Sequence, residues 1–593
     1  MSMLPIDLER VLLPLQRASS AQLALGVAGA VAVLFTGLWF YLWPYREWTL
    51  SFRNVDGPKP SHFLWGNISE IIKAGPDMQH SVWRKEFGLT YRYRVLFGSP
   101  RFYSADPVAL SYILGHTDKF PKPPQMRKNM ADMLGNGVLI AEGHDHRRQR
   151  KILNPSFSAA AVRDMIPVFY DKAFELRDKL VNLIEDDSLA TIAAPTPAKP
   201  EDVVPGARKI DVLKFLGMAT IDVIGIAGFN YDFRALHQPR NELAEAFRDM
   251  FSAGQNLTVM GIIQALVPGA DLIPTKRMRT IWASQATTRR IGKRLIEEKK
   301  KAIRQQHAGG LEKGDDIGTD MLSLCIRANM AADLKPDQKL TDEEVLAQIT
   351  TFMLAGNETS STALTWILWQ LALHPELQDR LREESGLCAN RLSRDIASWL
   401  TSDSETVSAL PYMEAVVREG LRLLPPAPST VREASEDAIV PLGTPIKGRD
   451  GKMIDSIRLN KGTTIFVPIM AVNHSTEIWG ADALEFNPDR FARISSDSDP
   501  EKAHIANQVP GVWGNLLTFL GGTRNCIGYR FALAEIKVIL FVLMRSFTFE
   551  NLPSKPEIEK KTATCFDSVV MRPRIKGEEA AGLQMPLLVK PIS

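Results

Sequence analysis

Apolar residues run from Ala21 to Leu42, AQLALGVAGAVAVLFTGLWFYL, without one charged side chain. As a helix this stretch would be roughly 33 Å long, enough to cross the hydrocarbon core of a bilayer. Trp39, Tyr41, Trp43 and Tyr45 crowd one end, as an interfacial aromatic belt does. Arg10 and Arg17 precede it and Arg46 and Arg53 follow, so basic residues do not decide its orientation. A cleaved signal sequence is the competing reading, but the apolar run is too long and starts too late for one. The pattern therefore predicts an N-terminal segment at 1–20, a single anchor at 21–43 and a connector at 44–60. Asn54-Val-Asp-Gly-Pro-Lys-Pro60 makes that connector stiff and non-helical.

The pattern then changes to that of a large folded body over 61–593. Thr90 to Phe97 is rich in aromatic and β-branched residues and predicts a strand, with Arg101 to Ser104 returning beside it. Helical periodicity dominates from about Met126 to Ala302, broken by a Pro/Ala-rich stretch at 190–206 that predicts a surface insertion. A long central helix opens with a capping box, Thr341 and Glu344, and Pro375 limits its far end. From Val345 to Leu373 its only charge is Glu358. A second membrane span is the alternative, but the polar run Asn357 to Thr362 would be costly in lipid and suits a buried site. Short strands fall between Pro425 and Pro468, and a last helix runs from about Gly528 to Phe547. The class predicted is mainly α with a minor β portion.

Composition narrows the function. The 593 residues carry 71 basic and 68 acidic side chains, a net charge of +3, with no strongly basic tail or domain, which argues against nucleic-acid binding. The four cysteines, Cys325, Cys388, Cys526 and Cys565, are far apart, so neither a thiolate zinc site nor a disulfide scaffold is indicated.

One cysteine is set apart by its surroundings. Phe519-Leu-Gly-Gly-Thr-Arg-Asn-Cys-Ile-Gly528 is a glycine-rich loop that delivers Cys526 to the start of an apolar helix. Glycines let a backbone approach a flat ligand, amides can point at the sulfur, and the positive end of the helix favours thiolate. Arg524 adds a positive charge two residues away. In the central helix, Ala355-Gly-Asn-Glu-Thr-Ser360 places Ala355 and Thr359 on one face. Small residues there leave room, Thr359 can hold water by hydrogen bonds, and Glu358 can relay protons. Glu419 and Arg422 are three apart on a helix, and Pro488-Asp-Arg490-Phe491 follows.

These stretches resemble the cytochrome P-450 family. Phe519, Gly522, Arg524, Cys526 and Gly528 match each fixed position of its haem-binding signature F-x-x-G-x-R-x-C-x-G. Ala355 to Ser360 resembles the oxygen-helix motif, and Glu419, Arg422 and Arg490 resemble its structural triad. The resemblance covers roughly residues 55 to 593 and is closest to microsomal and fungal members. It implies the P-450 fold, with haem b between the central helix and the cysteine loop and Cys526 as the axial iron ligand. Thr359 and Glu358 would be the oxygen-activating pair, with Ala355 and Gly356 making space. Arg432 and Arg150 would bind haem propionates, and His146 stands where the family shows tryptophan. Arg147 and Lys151 read instead as a solvated face.

The implied activity is monooxygenation of a lipophilic small molecule such as a fatty acid, terpenoid or other secondary-metabolite precursor. Electrons would come from NADPH through NADPH–cytochrome P-450 reductase, with cytochrome b5 as a further partner. The implied location is a single-pass anchor in the endoplasmic-reticulum membrane with the body in the cytosol. A peroxide-rearranging isomerase or dehydratase, and a non-catalytic haem or lipid binder, are the alternatives. Thr359 and an unmodified cysteine loop count against both.

Overall fold

In the computed structural model, the described residues are 19–75, 77–238, 241–255, 260, 272–307, 320–330, 335–391, 410–491, 509–562 and 570–592. The predicted N-terminal segment at 1–20 lies almost wholly outside them.

The first helix, α1, spans Ser20–Phe40 and opens with a capping box between Ser19 and Gln22. The chain does not leave the helix at residue 43. A π turn, Tyr41–Tyr45, carries Pro44, and a further helical turn, Arg46–Thr49, continues the same run. The wider π turn accommodates the proline, which has no N–H to donate and whose ring crowds the preceding turn. The predicted connector is thus helical over its first residues. It is also clamped to the body. Glu47 accepts from Arg92 at 2.7 and 2.9 Å, from Arg94, and from Arg449 at 3.3 Å. Burial pushes its carboxyl up, but these arginines together hold it below the ordinary value. Arg46 donates to Phe97 O at 3.0 Å, and Trp43 stacks on Phe63 with ring centroids 5.4 Å apart.

The strands are β1 Thr90–Arg94, β2 Pro100–Ser104, β3 Arg208–Asp211, β4 Thr430–Glu433, β5 Ala438–Lys447, β6 Met453–Leu459, β7 Thr464–Val467, β8 Phe547–Glu550, β9 Ile558–Thr562, β10 Met571–Ile575 and β11 Pro586–Pro591. One sheet has the order β1-β2-β7-β4, with β1 and β2 antiparallel and Tyr91 opposite Tyr103. The predicted return at 101–104 is therefore the observed partner. A second sheet has the order β3-β11-β8, and β5–β6 and β9–β10 form two-stranded pairs.

Helices build the rest. α2 is Gly143–Leu153, α3 Ala159–Glu185, α4 Val212–Phe229, α5 Asp342–Leu373, α6 Pro411–Leu423 and α7 Tyr529–Ser546. α5 is the predicted central helix, with the predicted Thr341–Glu344 capping box. It is buried on most faces, with Trp366 fully enclosed, so its apolar character serves the core. α4 packs along it and is long and apolar enough to cross a membrane, yet 67% of it is buried in the protein. α7 packs on α3, with Phe531 edge-on to Phe169 at 4.9 Å.

The stretch 190–206 lies largely at the surface but is tied down at particular points. Ala193 and Asp202 are buried, Asp202 accepts from the Ser554 amide and hydroxyl at 2.9 Å, and Lys209 donates to Thr196 Oγ1 at 3.0 Å. Its alanines and prolines lack strong periodicity because neighbours from distant sequence, not its own pattern, hold it.

Candidate functional site

The cysteine loop enters α7 through two short 3-10 turns, Leu517–Phe519 and Gly522–Arg524. Cys526 N–H donates to Phe519 O at 2.8 Å and closes the loop. At Gly522 φ is +68°, and a Cβ would lie 2.2 Å from Leu114 O, so only glycine fits. Gly528 caps α7 beside the Phe157 ring. Cys526 has exposed surface. It is nevertheless enclosed: burial pushes its thiol up, while the Gly528 amide and Arg150 pull it down. The predicted amide at the sulfur is thus Gly528.

Arg524 does not supply the charge expected at the sulfur. It turns away to donate to Ala141 O at 2.6 Å and to pair with Glu142. The 3-10 turn ends between Arg524 and Cys526, so the two side chains diverge. Arg150 takes the place beside the sulfur. It reaches from α2 to donate to Asn525 O at 2.6 Å and to Asn525 Oδ1, bracing the loop.

Arg524 instead joins a group of buried cations. Arg432, on β4, is 1% exposed; it donates to Val431 O at 2.8 Å and Thr430 Oγ1 at 3.2 Å. Burial depresses both guanidinium groups to about 10. Lys122 lies among them, and burial together with Arg432, Arg524 and Arg127 drives its ammonium well below the ordinary value. Lys122 Nζ lies 3.6 Å from Glu142 Oε1. Four residues before Arg150, on the same face of α2, His146 is buried, and burial and the Lys122 charge lower it to about 4, leaving it neutral at pH 7. The acids felt here are Glu142 and, at longer range, Asp118, which is engaged by exposed Arg147 at 3.1 Å. Buried cations in such excess call for an anionic ligand, because unpaired buried charge is expensive. Sequence reading gave Lys122 no anion-binding role: a lysine between prolines carries no local signal of burial.

On α5, Ala355 is exposed between two buried runs of the helix, Val345–Met353 and Ser360–Leu368, so space opens beside it. Gly356 does not share that role. A Cβ there would meet Ile224 Cδ1 and Cγ1 at 3.0 Å, so its small size serves the close approach of α4. Thr359 Oγ1 donates back to Ala355 O at 2.6 Å, which leaves its oxygen free to accept. Glu358 pairs with Arg572 of β10, a partner that no spacing rule suggests. Behind α5, Glu535 of α7 is fully buried, and among the described residues neither carboxylate oxygen has a hydrogen-bond partner of good geometry. Desolvation pushes it up to about 8, and the nearby Ser360 hydroxyl offsets only part of this.

Glu419, Arg422 and Arg490 do meet. Arg422 donates to both Glu419 oxygens at 2.8 and 2.9 Å, and Arg490 Nε to Oε1 at 3.0 Å. Further guanidinium hydrogens go to carbonyls of Asn473, Trp479, Asp482, Ala483 and Glu485 and, from Arg490, to the Asp482 carboxylate at 2.8 Å. The node holds the 473–490 segment against α6.

The glycine-rich loop of Cys526, the buried cations around Lys122 and the hydroxyl-bearing central helix together form the candidate site. The cytochrome P450 family model matches residues 56–576, and the chain belongs to that family. It is 39% identical over 547 residues to cytochrome P450 monooxygenase 205 of Postia placenta, covering 92% of this chain and 93% of the relative. It is 33% identical over 572 residues to cytochrome P450 monooxygenase claW of Ampulloclitocybe clavipes, covering 95% and 97%. It is 31% identical over 567 residues to ganoderic acid synthetase of Ganoderma lucidum, covering 93% and 96%. The chain is therefore a monooxygenase-type enzyme with a haem cofactor, a redox partner and a small-molecule substrate. The donor set fits that cofactor: one thiol for the iron and buried cations for two carboxylates.

Proposed function

We propose that this chain inserts one oxygen atom of O2 into a lipophilic secondary metabolite or its precursor, a terpenoid or fatty acid being the leading classes. The balance is RH + O2 + NADPH + H⁺ to ROH + H2O + NADP⁺. Electrons arrive through a membrane NADPH–cytochrome P-450 reductase, with cytochrome b5 as an accessory donor. The exposed apolar helix Ser20–Thr49 supports a single-pass anchor, placed here in the endoplasmic-reticulum membrane with residues 61–593 as a cytosolic catalytic domain. The relative named ganoderic acid synthetase supports the substrate class.

When bound, haem b with a cysteine thiolate supplies O–O cleavage and oxygen transfer. The protein's own groups do the rest. Cys526 would hold the iron through its sulfur, and Arg150 and the Gly528 amide favour its thiolate form. Arg432, Arg524 and Lys122 would hold the two propionates, and neutral His146 could donate to one of them. Thr359 accepts a hydrogen bond from water beside Ala355, and Glu358 passes protons toward it. Glu419, Arg422 and Arg490 support the fold and take no part in the reaction.

The observation that carries this reading is Cys526 itself, an exposed thiol on a glycine-rich loop at the start of α7, with Arg150 and the Gly528 amide drawing it toward thiolate. Cys526→Ala should give folded protein without thiolate-ligated haem; a native spectrum and turnover in that variant would contradict the assignment. Thr359→Ala should keep its haem but release peroxide from NADPH; fully coupled turnover would remove Thr359 from proton delivery.

A further inference from the structure

The β9–β10 hairpin presents two arginines on one face, Arg572 and Arg574, with Met571 buried on the other. Arg574 stays within the hairpin and pairs with Glu559 across the strands at 2.7 Å. Arg572 does not: its Nη2 lies 2.5 Å from Glu358 Oε2 on α5, with only 15% and 23% of the two side chains exposed. The strand is fixed just before this point. Met571 N donates to Pro426 O at 2.6 Å, and Trp366 Nε1, two turns further along α5, donates to Met571 O at 2.8 Å. The arginine is therefore delivered to the carboxylate by backbone bonds on either side of residue 571, not by a free-swinging side chain on a loose loop.

We propose that Arg572 is the positioning residue for Glu358: it fixes the carboxylate beside Thr359 and so controls how well proton delivery keeps pace with electron delivery. This rests on the reading of Glu358 as a proton-delivery group. A guanidinium is suited to this because its planar fork fixes the direction of a carboxylate as well as its charge. Glu358 is adjacent in sequence to Thr359, so a change in the carboxylate rotamer moves the proton source relative to the hydroxyl that must receive it. The hairpin thereby gains a connection to the chemistry, because anything that displaces β10 displaces Arg572 and, with it, Glu358.

The test uses the full-length holoenzyme with its reductase and without organic substrate, reading peroxide released per NADPH oxidised for Arg572→Gln, Arg572→Lys, Glu358→Gln and the R572Q/E358Q double variant. Each variant is first checked for native haem content and a native reduced carbon-monoxide spectrum. R572Q should raise the peroxide ratio several-fold, to the level of E358Q; R572K should recover part of the loss; the double variant should be no worse than E358Q alone. A thermal-unfolding cycle over the same four proteins should show the pair coupled, a readout independent of turnover. If E358Q uncouples while R572Q and native enzyme give the same ratio, the inference is wrong and the proton role of Glu358 stands. If E358Q itself couples normally, the underlying reading fails and takes the inference with it. Should R572Q lose its haem, Glu358→Asp withdraws the carboxylate by one methylene at constant charge. E358D should then uncouple, and native coupling in it would overturn the inference.

Discussion

Two groups of buried arginines in this protein obey opposite rules. Around Glu419, Arg422 and Arg490 are buried, yet each charge has a partner: Glu419 takes both guanidinium groups and Asp482 takes a second bond from Arg490 at 2.8 Å. Around Glu142, Lys122 and Arg524 share one contacting carboxylate, Arg432 lies close to Lys122, and burial depresses all three. The first group is complete without a ligand. The second is complete only with one. Electrostatic balance thus separates a structural node from a binding wall, even though both are built from the same residue type at similar depth.

That comparison can be broken by unbalancing the first group. Glu419→Gln leaves two buried guanidinium groups without their carboxylate and should cost about 3–5 kcal/mol. Little folded holoenzyme should be recovered, and a thermal melt within a degree or two of native would show that the node is dispensable. Glu535 sharpens the picture from the acid side. Folding raises its carboxyl from the ordinary 4.5 to about 8, so the folded state keeps a proton that the unfolded chain releases. Stability therefore falls as pH rises from 4.5 to about 8 and levels off above. Glu535→Gln should stabilise the protein on the order of a few kcal/mol at pH 8 and have little effect near pH 4.5, read from melts across that range. An effect independent of pH would mean that the carboxyl is ionised in the fold.

The smallest effect is expected in the cationic group and has two signs. Arg432→Met should leave apoprotein stability unchanged or raised, because it relieves unpaired charge. The same change should weaken haem retention by about tenfold, or ~1.4 kcal/mol, through the loss of a carboxylate partner. Competition for haem by apomyoglobin measures the second and a melt of the apoprotein the first. Destabilised apoprotein with native haem retention would assign Arg432 to the fold instead.

What the sequence made legible was local. The capping box at Thr341 and Glu344, the Gly-rich approach to Cys526, the return of β2 beside β1, and the i,i+3 pair Glu419–Arg422 are all set within a few residues, so their spacing carries the geometry. The features missed or misjudged are those decided from far along the chain. Gly356 is small because Ile224 fills the space, and Arg524 points at Glu142 because a turn rotates it. Arg150 braces Asn525, and Arg572 arrives at Glu358 on a strand from the other end of the chain. The anchor was bounded at residue 43, but the π turn that holds Pro44 lets the helix run on to Thr49. In each case the residue type was informative, but its direction was fixed by packing that no local pattern records.

The central claim is that Cys526 ligates haem as a thiolate. It is tested most directly by the absorption spectrum of membranes containing this chain, reduced with dithionite and exposed to carbon monoxide. The account predicts the red-shifted Soret band characteristic of a thiolate-ligated haem, absent from Cys526→Ala. A band typical of histidine-ligated haem, or folded protein that takes up no haem, would contradict it.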